Sequence, residues 1–223
     1  MISLTWLSKY SWFKIQSQET IIHIDPGYAG YFENQGIPDC ELEKKADLIL
    51  VSHFHKDHCQ PVALSKIRDA RTIAIAPERC VERIGGRVEI IKPGDVIARN
   101  DITIAAVDAY NTPTGNSTRK SHHKGDGVGY ILTVDKKKIY HAGDTDFIPE
   151  MKKLGSVDIA LLPIGGTFTM DIQEALKAAM VIKPEIVVPM HISKAAPQEF
   201  KARVESKSRI KVIPLKICEA FQI

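Results

Sequence analysis

Residues 53–58 read His-Phe-His-Lys-Asp-His, directly after the apolar run Leu48-Ile49-Leu50-Val51-Ser52. Three of the chain's eight histidines and one aspartate fall within these six positions. Imidazole and carboxylate are the nitrogen and oxygen ligands of zinc and similar divalent ions. On an extended backbone alternate side chains share a side, so His53 and His55 can face one ion. Asp57 and His58 follow the strand, where the chain turns toward a neighbouring position. The block therefore predicts two adjacent metal positions. The plain alternative is a histidine-rich surface turn, but ionisable groups have no packing reason to cluster at a strand end.

Two later strand ends offer the same chemistry. Lys138-Ile139-Tyr140-His141 runs into Ala142-Gly143-Asp144-Thr145, and the glycine lets the backbone turn and leave Asp144 at the end. An aspartate capping a helix over about 147–154 is the alternative, and Asp146 is better placed for it than Asp144. Glu185 to Met190 ends in His191. The turn Ile164-Gly165-Gly166-Thr167-Phe168-Thr169-Met170 precedes a helix; its amides and Thr167 or Thr169 could bind a substrate anion, or Thr169 or Asp171 could simply cap that helix. His23 and His141, each inside a strand, read as packed histidines.

The H-x-H-x-D-H block, followed in order by Gly-Asp-Thr and Pro-Met-His, resembles the metallo-β-lactamase superfamily. The closest pattern is its lactonase-like, uncharacterised metal-dependent hydrolase branch, whose relatives include ascorbate-6-phosphate lactonase. The resemblance implies an α/β fold, a four-layer αββα sandwich with metals at one edge of the sheets, spanning 1–223 as one domain. It implies that Asp144 bridges two metals and that His191 is a second-metal ligand. It also implies that Asp25 lies beneath the metals, as a partner for a ligating histidine or in an Asx turn. One position departs from the pattern: most members carry a third histidine where Asn111 stands here, and a neutral amide is a poor zinc ligand. His122, then His123, are the candidate replacement ligands nearby. The expectation is that the polar loop 111–127 is mobile and closes over the site, His122 completing the first metal and Lys124 facing an anionic substrate.

The assignment that follows puts His53 and His55, with His122, on one metal and Asp57, His58 and His191 on the other. Asp57 orients the activated water. The expected cofactors are two divalent ions, zinc foremost, with manganese, iron or nickel compatible. The expected activity is hydrolysis of a small ester, lactone or phosphoester. A nuclease of the same fold and a non-enzymatic metal-binding module are the competing readings. At formal charge +3, with no basic arm, the chain does not look built for nucleic acid.

These loops need strands to hold them. With 223 residues and 44% hydrophobic content, the chain can bury a full core. Strands are predicted at 2–7, 11–16, 20–24, 46–51, 72–76, 128–134, 138–141, 157–163, 185–190 and 209–215, with 88–108 as two strands around Pro93-Gly94. Helices are predicted from Pro61 to about Ala70 and over 77–84, about 147–154, 171–182 and about 197–206; residues 28–46 read as a long loop. Four widely spaced cysteines without a CxxC pattern suit free thiols in a reducing cytoplasm. No apolar run is long enough to span a membrane, and the first ten residues lack a secretory pattern. Oligomeric state stays open.

Overall fold

The computed structural model describes residues 2–18, 20–28 and 37–223. The chain divides into two compact units, residues 1–91 with 215–223 and residues 92–214. Each is built on a seven-stranded mixed sheet.

In the first unit the strands are β1 (Ser3–Trp6), β2 (Phe13–Gln16), β3 (Ile21–Ile24), β4 (Leu48–Leu50), β5 (Ile73–Ala76), β6 (Val88–Ile90) and β14 (Ala220–Gln222), in the spatial order β14-β1-β2-β3-β4-β5-β6. Strands β1 to β3 form an antiparallel meander, and β4, β5 and β6 continue it in parallel. Leu48, Ile49 and Leu50 are all buried, as expected of a central parallel strand. Helix α1 (Cys40–Glu43) interrupts what reads in sequence as one loop over 28–46, of which 29–36 lie outside the described residues. Helix α2 (Pro61–Ile67) starts on its proline and turns Ala63, Leu64 and Ile67 inward. A short 3₁₀ turn leads into α3 (Val81–Ile84), which Gly85 ends at φ 66°.

The second unit runs β13-β12-β11-β10-β9-β8-β7. Strands β7 (Val96–Arg99), β8 (Ile102–Asp108), β9 (Val128–Val134) and β10 (Lys137–His141) are antiparallel; β11 (Ile159–Pro163), β12 (Ile186–Met190) and β13 (Lys211–Val212) follow β10 in parallel. The stretch 88–108 thus holds three strands, not two, because Asn100 at φ 49° supplies a second turn. Strands β9 and β10 are joined by a tight turn with Asp135 and Lys136 at positive φ. Residues 149–153 form a 3₁₀ segment. Helices α4 (Ile172–Ile182) and α5 (Pro197–Glu205) pack on each other beside β11 and β13. Asp171 caps α4 by accepting from the Glu174 amide. Among the described residues no helix is long and apolar enough to cross a membrane.

Candidate functional site

In each unit the candidate residues follow strands that run the same way, so their loops share one sheet edge. In the first unit these are β3 and β4, followed by Asp25 and the histidine block. In the second they are β8, β10, β11 and β12, followed by Asn111, Asp144, the 164–170 turn and His191. Ligands in open α/β sheets collect outside the carboxyl ends of strands.

The histidine block does not continue the extended backbone expected through His55; β4 stops at Leu50 and the chain bends. Alternation nevertheless holds locally. Phe54 packs against the apolar cluster of the unit, under the Arg79 guanidinium, while His53 Nε2 and His55 Nδ1 stand 3.1 Å apart. The His55 carbonyl then accepts from the amides of His58 and Cys59, closing a turn that carries Asp57 and His58. His58 Nε2 lies 3.6 Å from Asp57 Oδ2, and its ring centroid 4.0 Å from that of His53.

Asp25 holds this block from below. Fully buried and at φ 52°, its carboxylate accepts from the Ser52 amide (2.6 Å), the Ser52 hydroxyl (2.7 Å) and His58 Nδ1 (2.7 Å). The geometry fixes two tautomers. His58 spends its Nδ1 proton on Asp25 and presents a lone pair at Nε2. The single Ser52 hydroxyl proton goes to Asp25, so at 3.0 Å the Ser52 oxygen accepts from His53 Nδ1, and His53 also presents Nε2. Gly27 sits hard against the turn: a Cβ there would come within 2.5 Å of the Asp57 carbonyl carbon. Tyr10, which sequence reasoning missed, feels the charges of Asp57 and His58; burial first, then the Asp57 charge, pushes its hydroxyl pKa up, keeping it a proton donor. His23 accepts from Trp12 Nε1 at 2.9 Å and is fully buried, in keeping with a packed role.

In the second unit Gly143 turns at φ 64° and delivers Asp144 into a buried position. Its Oδ2 lies 3.4 Å from His122 Nε2 and 3.3 Å from His191 Nε2. His191 itself adopts φ 45°, and Gly165 leaves room for its carbonyl, which a Cβ at 165 would approach to 2.4 Å.

Asn111 explains the departure from the family pattern. Its Oδ1 accepts from the Ser121 and His122 amides (3.1 and 3.0 Å) and from His122 Nδ1 (3.1 Å). Its Nδ2 donates to the Phe168 carbonyl (2.8 Å) and to Asp146 (3.2 Å). The amide thus stands where a ligand would, and instead orients the buried His122 with Nε2 toward Asp144. His123 is exposed.

The loops around this site hold one another in place. The loop 111–127 has no helix or strand, but it is sewn down: the amides of Thr118 and Arg119 donate to the carbonyls of Gly166 and Thr167, and Thr112 and Lys120 both reach Asp146. Asp146 therefore organises this loop rather than capping a helix, and Gly115 packs directly on its carboxylate. Lys124 pairs with Glu150 at 2.6 Å and lies over the Tyr110 ring. In the 164–170 turn, the Gly166 amide and the Thr169 hydroxyl are directed to the Met170 carbonyl, leaving half-exposed Thr167 as the polar side chain facing outward. All four cysteines are free, with Cys59 and Cys80 buried.

The donor spacing suits a divalent ion. Atoms bound tetrahedrally at ~2.0–2.1 Å from one metal stand about 3.3–3.4 Å apart. The four within-unit donor separations, 3.1 and 3.6 Å in the first unit and 3.3 and 3.4 Å in the second, bracket that edge.

Comparison with known proteins agrees with this reading. Residues 3–191 match the family described as Beta-lactamase superfamily domain. A UPF0173 metal-dependent hydrolase of Methanosarcina barkeri is 33% identical over 100% of this chain and 99% of its own length. Among solved structures, a putative metal-dependent hydrolase from Parabacteroides distasonis superimposes with a TM-score of 0.84 at 33% identity, covering 95% of this chain and 91% of its own. Igni18, a metallo hydrolase from Ignicoccus hospitalis, does so with a TM-score of 0.82 at 30% identity, covering 100% and 99%. The chain has the metallo-β-lactamase fold and belongs to the UPF0173 metal-dependent hydrolase family of the β-lactamase superfamily.

Proposed function

We propose that the chain is a binuclear metal-dependent hydrolase acting on a small ester, lactone or phosphoester. His53, His55 and His122 would hold one divalent ion, Asp57, His58 and His191 a second, with Asp144 shared. The observation that carries the reading is the Asp144 carboxylate, one oxygen of which stands a tetrahedral edge from two imidazoles on separate loops. Zinc suits this nitrogen-rich donor set best, and manganese, iron or nickel could replace it.

When bound, the ions would supply Lewis acidity, lowering the pKa of a water toward neutrality and polarising a substrate oxygen. The chain's own groups supply the rest. Asp25 and Ser52 hold His58 and His53 in the tautomers that offer Nε2, and Asn111 does the same for His122. Asp57, partly exposed beside His58, orients the attacking water and accepts its proton. Tyr10, kept protonated, can donate to a developing negative charge near Asp57. No serine or cysteine nucleophile is required. The four free cysteines fit a reducing cytoplasm.

Elemental analysis of the purified chain, with turnover measured on a lactone, ester and phosphoester panel beside a single-stranded RNA, tests the proposal. Near two ions per chain and cleavage of a panel member are expected. Metal-loaded protein that cleaves only RNA would make it a nuclease, and one that cleaves nothing a metal-binding module.

A further inference from the structure

A concavity lies at the opposite end of β12 from His191. It has a volume of about 670 Å³, within the ~300–1,000 Å³ range of small-molecule sites. Five strand residues, ~17 Å at 3.3 Å each, separate the two ends. The cavity is shaped by the end of α4, the start of β12 and the segment from α5 into β13. Met180, Pro184 and Ile186 give it an apolar lining.

Its charge is one-sided. Lys183, Lys207, Arg209 and Lys211 all line it and are exposed. None has a carboxylate partner among the described residues. Glu185 is the one acidic lining residue, and its carboxylate lies 3.7 Å from Lys137. Four cations against one acid give a local excess of three in a chain whose whole formal excess is +3. Several cations elsewhere in the unit are paired, as Lys124 with Glu150, Lys201 with Glu205 and Arg203 with Glu199.

The backbone adds an independent sign. Lys183 ends α4 in the left-handed region at φ 54° and ψ 51°, the position that glycine usually fills. A side chain there is disfavoured, because its Cβ approaches the following carbonyl oxygen. Strain of this kind clusters where a side chain has work to do, and here it keeps an ammonium group on the cavity.

We propose that this cavity binds a small organic anion with an apolar, planar body, of the aryl or nucleoside phosphate class. The cations take the phosphate, Arg209 by its forked guanidinium, and the body lies on the Met180–Pro184–Ile186 lining. The site is independent of the metal-ligand loops and of the proposed hydrolysis. Cavity shape favours a small molecule over a membrane surface.

Titration calorimetry of the full chain with phenylphosphonate, adenosine 5′-monophosphate and flavin mononucleotide, with inorganic phosphate for comparison, tests it. At least one organic anion is expected to bind about tenfold tighter than inorganic phosphate. The double substitution Arg209→Ala with Lys211→Ala should weaken that binding at least about tenfold, since each charge-assisted hydrogen bond is worth that much; both residues are exposed, and an unchanged melting temperature would verify the fold. Asp144→Asn should leave it unchanged. The proposal fails if none of the three binds, if inorganic phosphate binds equally well, if the double substitution has no effect, or if Asp144→Asn abolishes binding. Capture by anionic phosphatidylglycerol vesicles without small-molecule binding would overturn it in favour of a lipid surface.

Discussion

The two units use the same strand plan and distribute their chemistry differently. Each sheet follows three antiparallel strands with three parallel ones, β1-β2-β3 then β4-β5-β6, and β8-β9-β10 then β11-β12-β13, with β14 and β7 as antiparallel edges. Each buries one histidine in the last meander strand, His23 in β3 and His141 in β10, and each places an aspartate just after that strand, Asp25 and Asp144. In the first unit the aspartate supports ligand candidates that one six-residue block supplies. In the second the aspartate is itself the candidate, and its imidazoles come from two separate loops that only folding brings together: His122 lies on the loop after β8, His191 after β12. A sheet plan fixes where loops gather, while loop sequence decides whether an aspartate there supports or ligates.

The largest effect should come from removing the shared carboxylate. Asp144→Asn is expected to reduce metal content to one ion per chain or fewer and to lower turnover by more than about 100-fold, beyond the usual cost of losing an outer partner. Elemental analysis and panel kinetics measure both, and unchanged stoichiometry would reduce Asp144 to a structural residue like its counterpart.

Asp25 is the converse case. Asn tolerates the left-handed backbone that Asp25 adopts, so Asp25→Asn removes the charge without adding strain. Metal affinity should fall about 10–100-fold while the ion count at saturation stays at the parent value. A lost ion at saturating metal would mean that Asp25 ligates too, erasing the contrast between the units.

Asn111→Ala should be milder. The Ser121 and His122 amides lose their acceptor, so their hydrogen exchange should speed up, and ion affinity should drop about tenfold as His122 loosens. Unchanged exchange at these two amides would show that the loop is held without Asn111.

The smallest effect concerns His23. Burial holds its pKa down to about 3, with the Lys14 charge adding to the shift. Below the ordinary value of 6.5 the unfolded chain therefore takes up a proton that the folded chain refuses. The contribution of the neutral ring is complete above pH 6.5 and is lost as pH falls from there toward 3, at ~1.4 kcal/mol per pH unit. His23→Gln keeps an acceptor for Trp12 but does not titrate. Denaturation at pH 7 and pH 5 should show the parent losing its advantage over the variant; parallel pH profiles would place the protonation elsewhere.

The same contrast explains how much was legible in sequence. The histidine block could be read because its residues are contiguous, and Asp144 and His191 because each ends an apolar strand. The positions of most strands followed from apolar runs and glycine or proline breaks. Asn111 was noticed only as a missing histidine, since the value of an amide lies in which donors it meets, and Ser121, His122 and Phe168 come to it through folding. The loop 111–127 read as mobile because it is polar, yet those polar groups bond to Asp146 and to the 164–170 turn. The pairing of Lys124 with Glu150 left no sequence signal, because the two are remote in sequence. The three-residue strand β14 and four-residue α1 are too short to leave a periodic pattern.

The edge pairing of β14 with β1, Ser3 against Gln222, has a consequence in time. During synthesis the second unit, a single stretch of 92–214, has all its strands available before residue 220 is made. The first unit cannot close its edge until then. A chain cut after residue 214 should therefore carry a complete second sheet beside an unfinished first one, whose open β1 edge is the surface most exposed to mispairing with other chains.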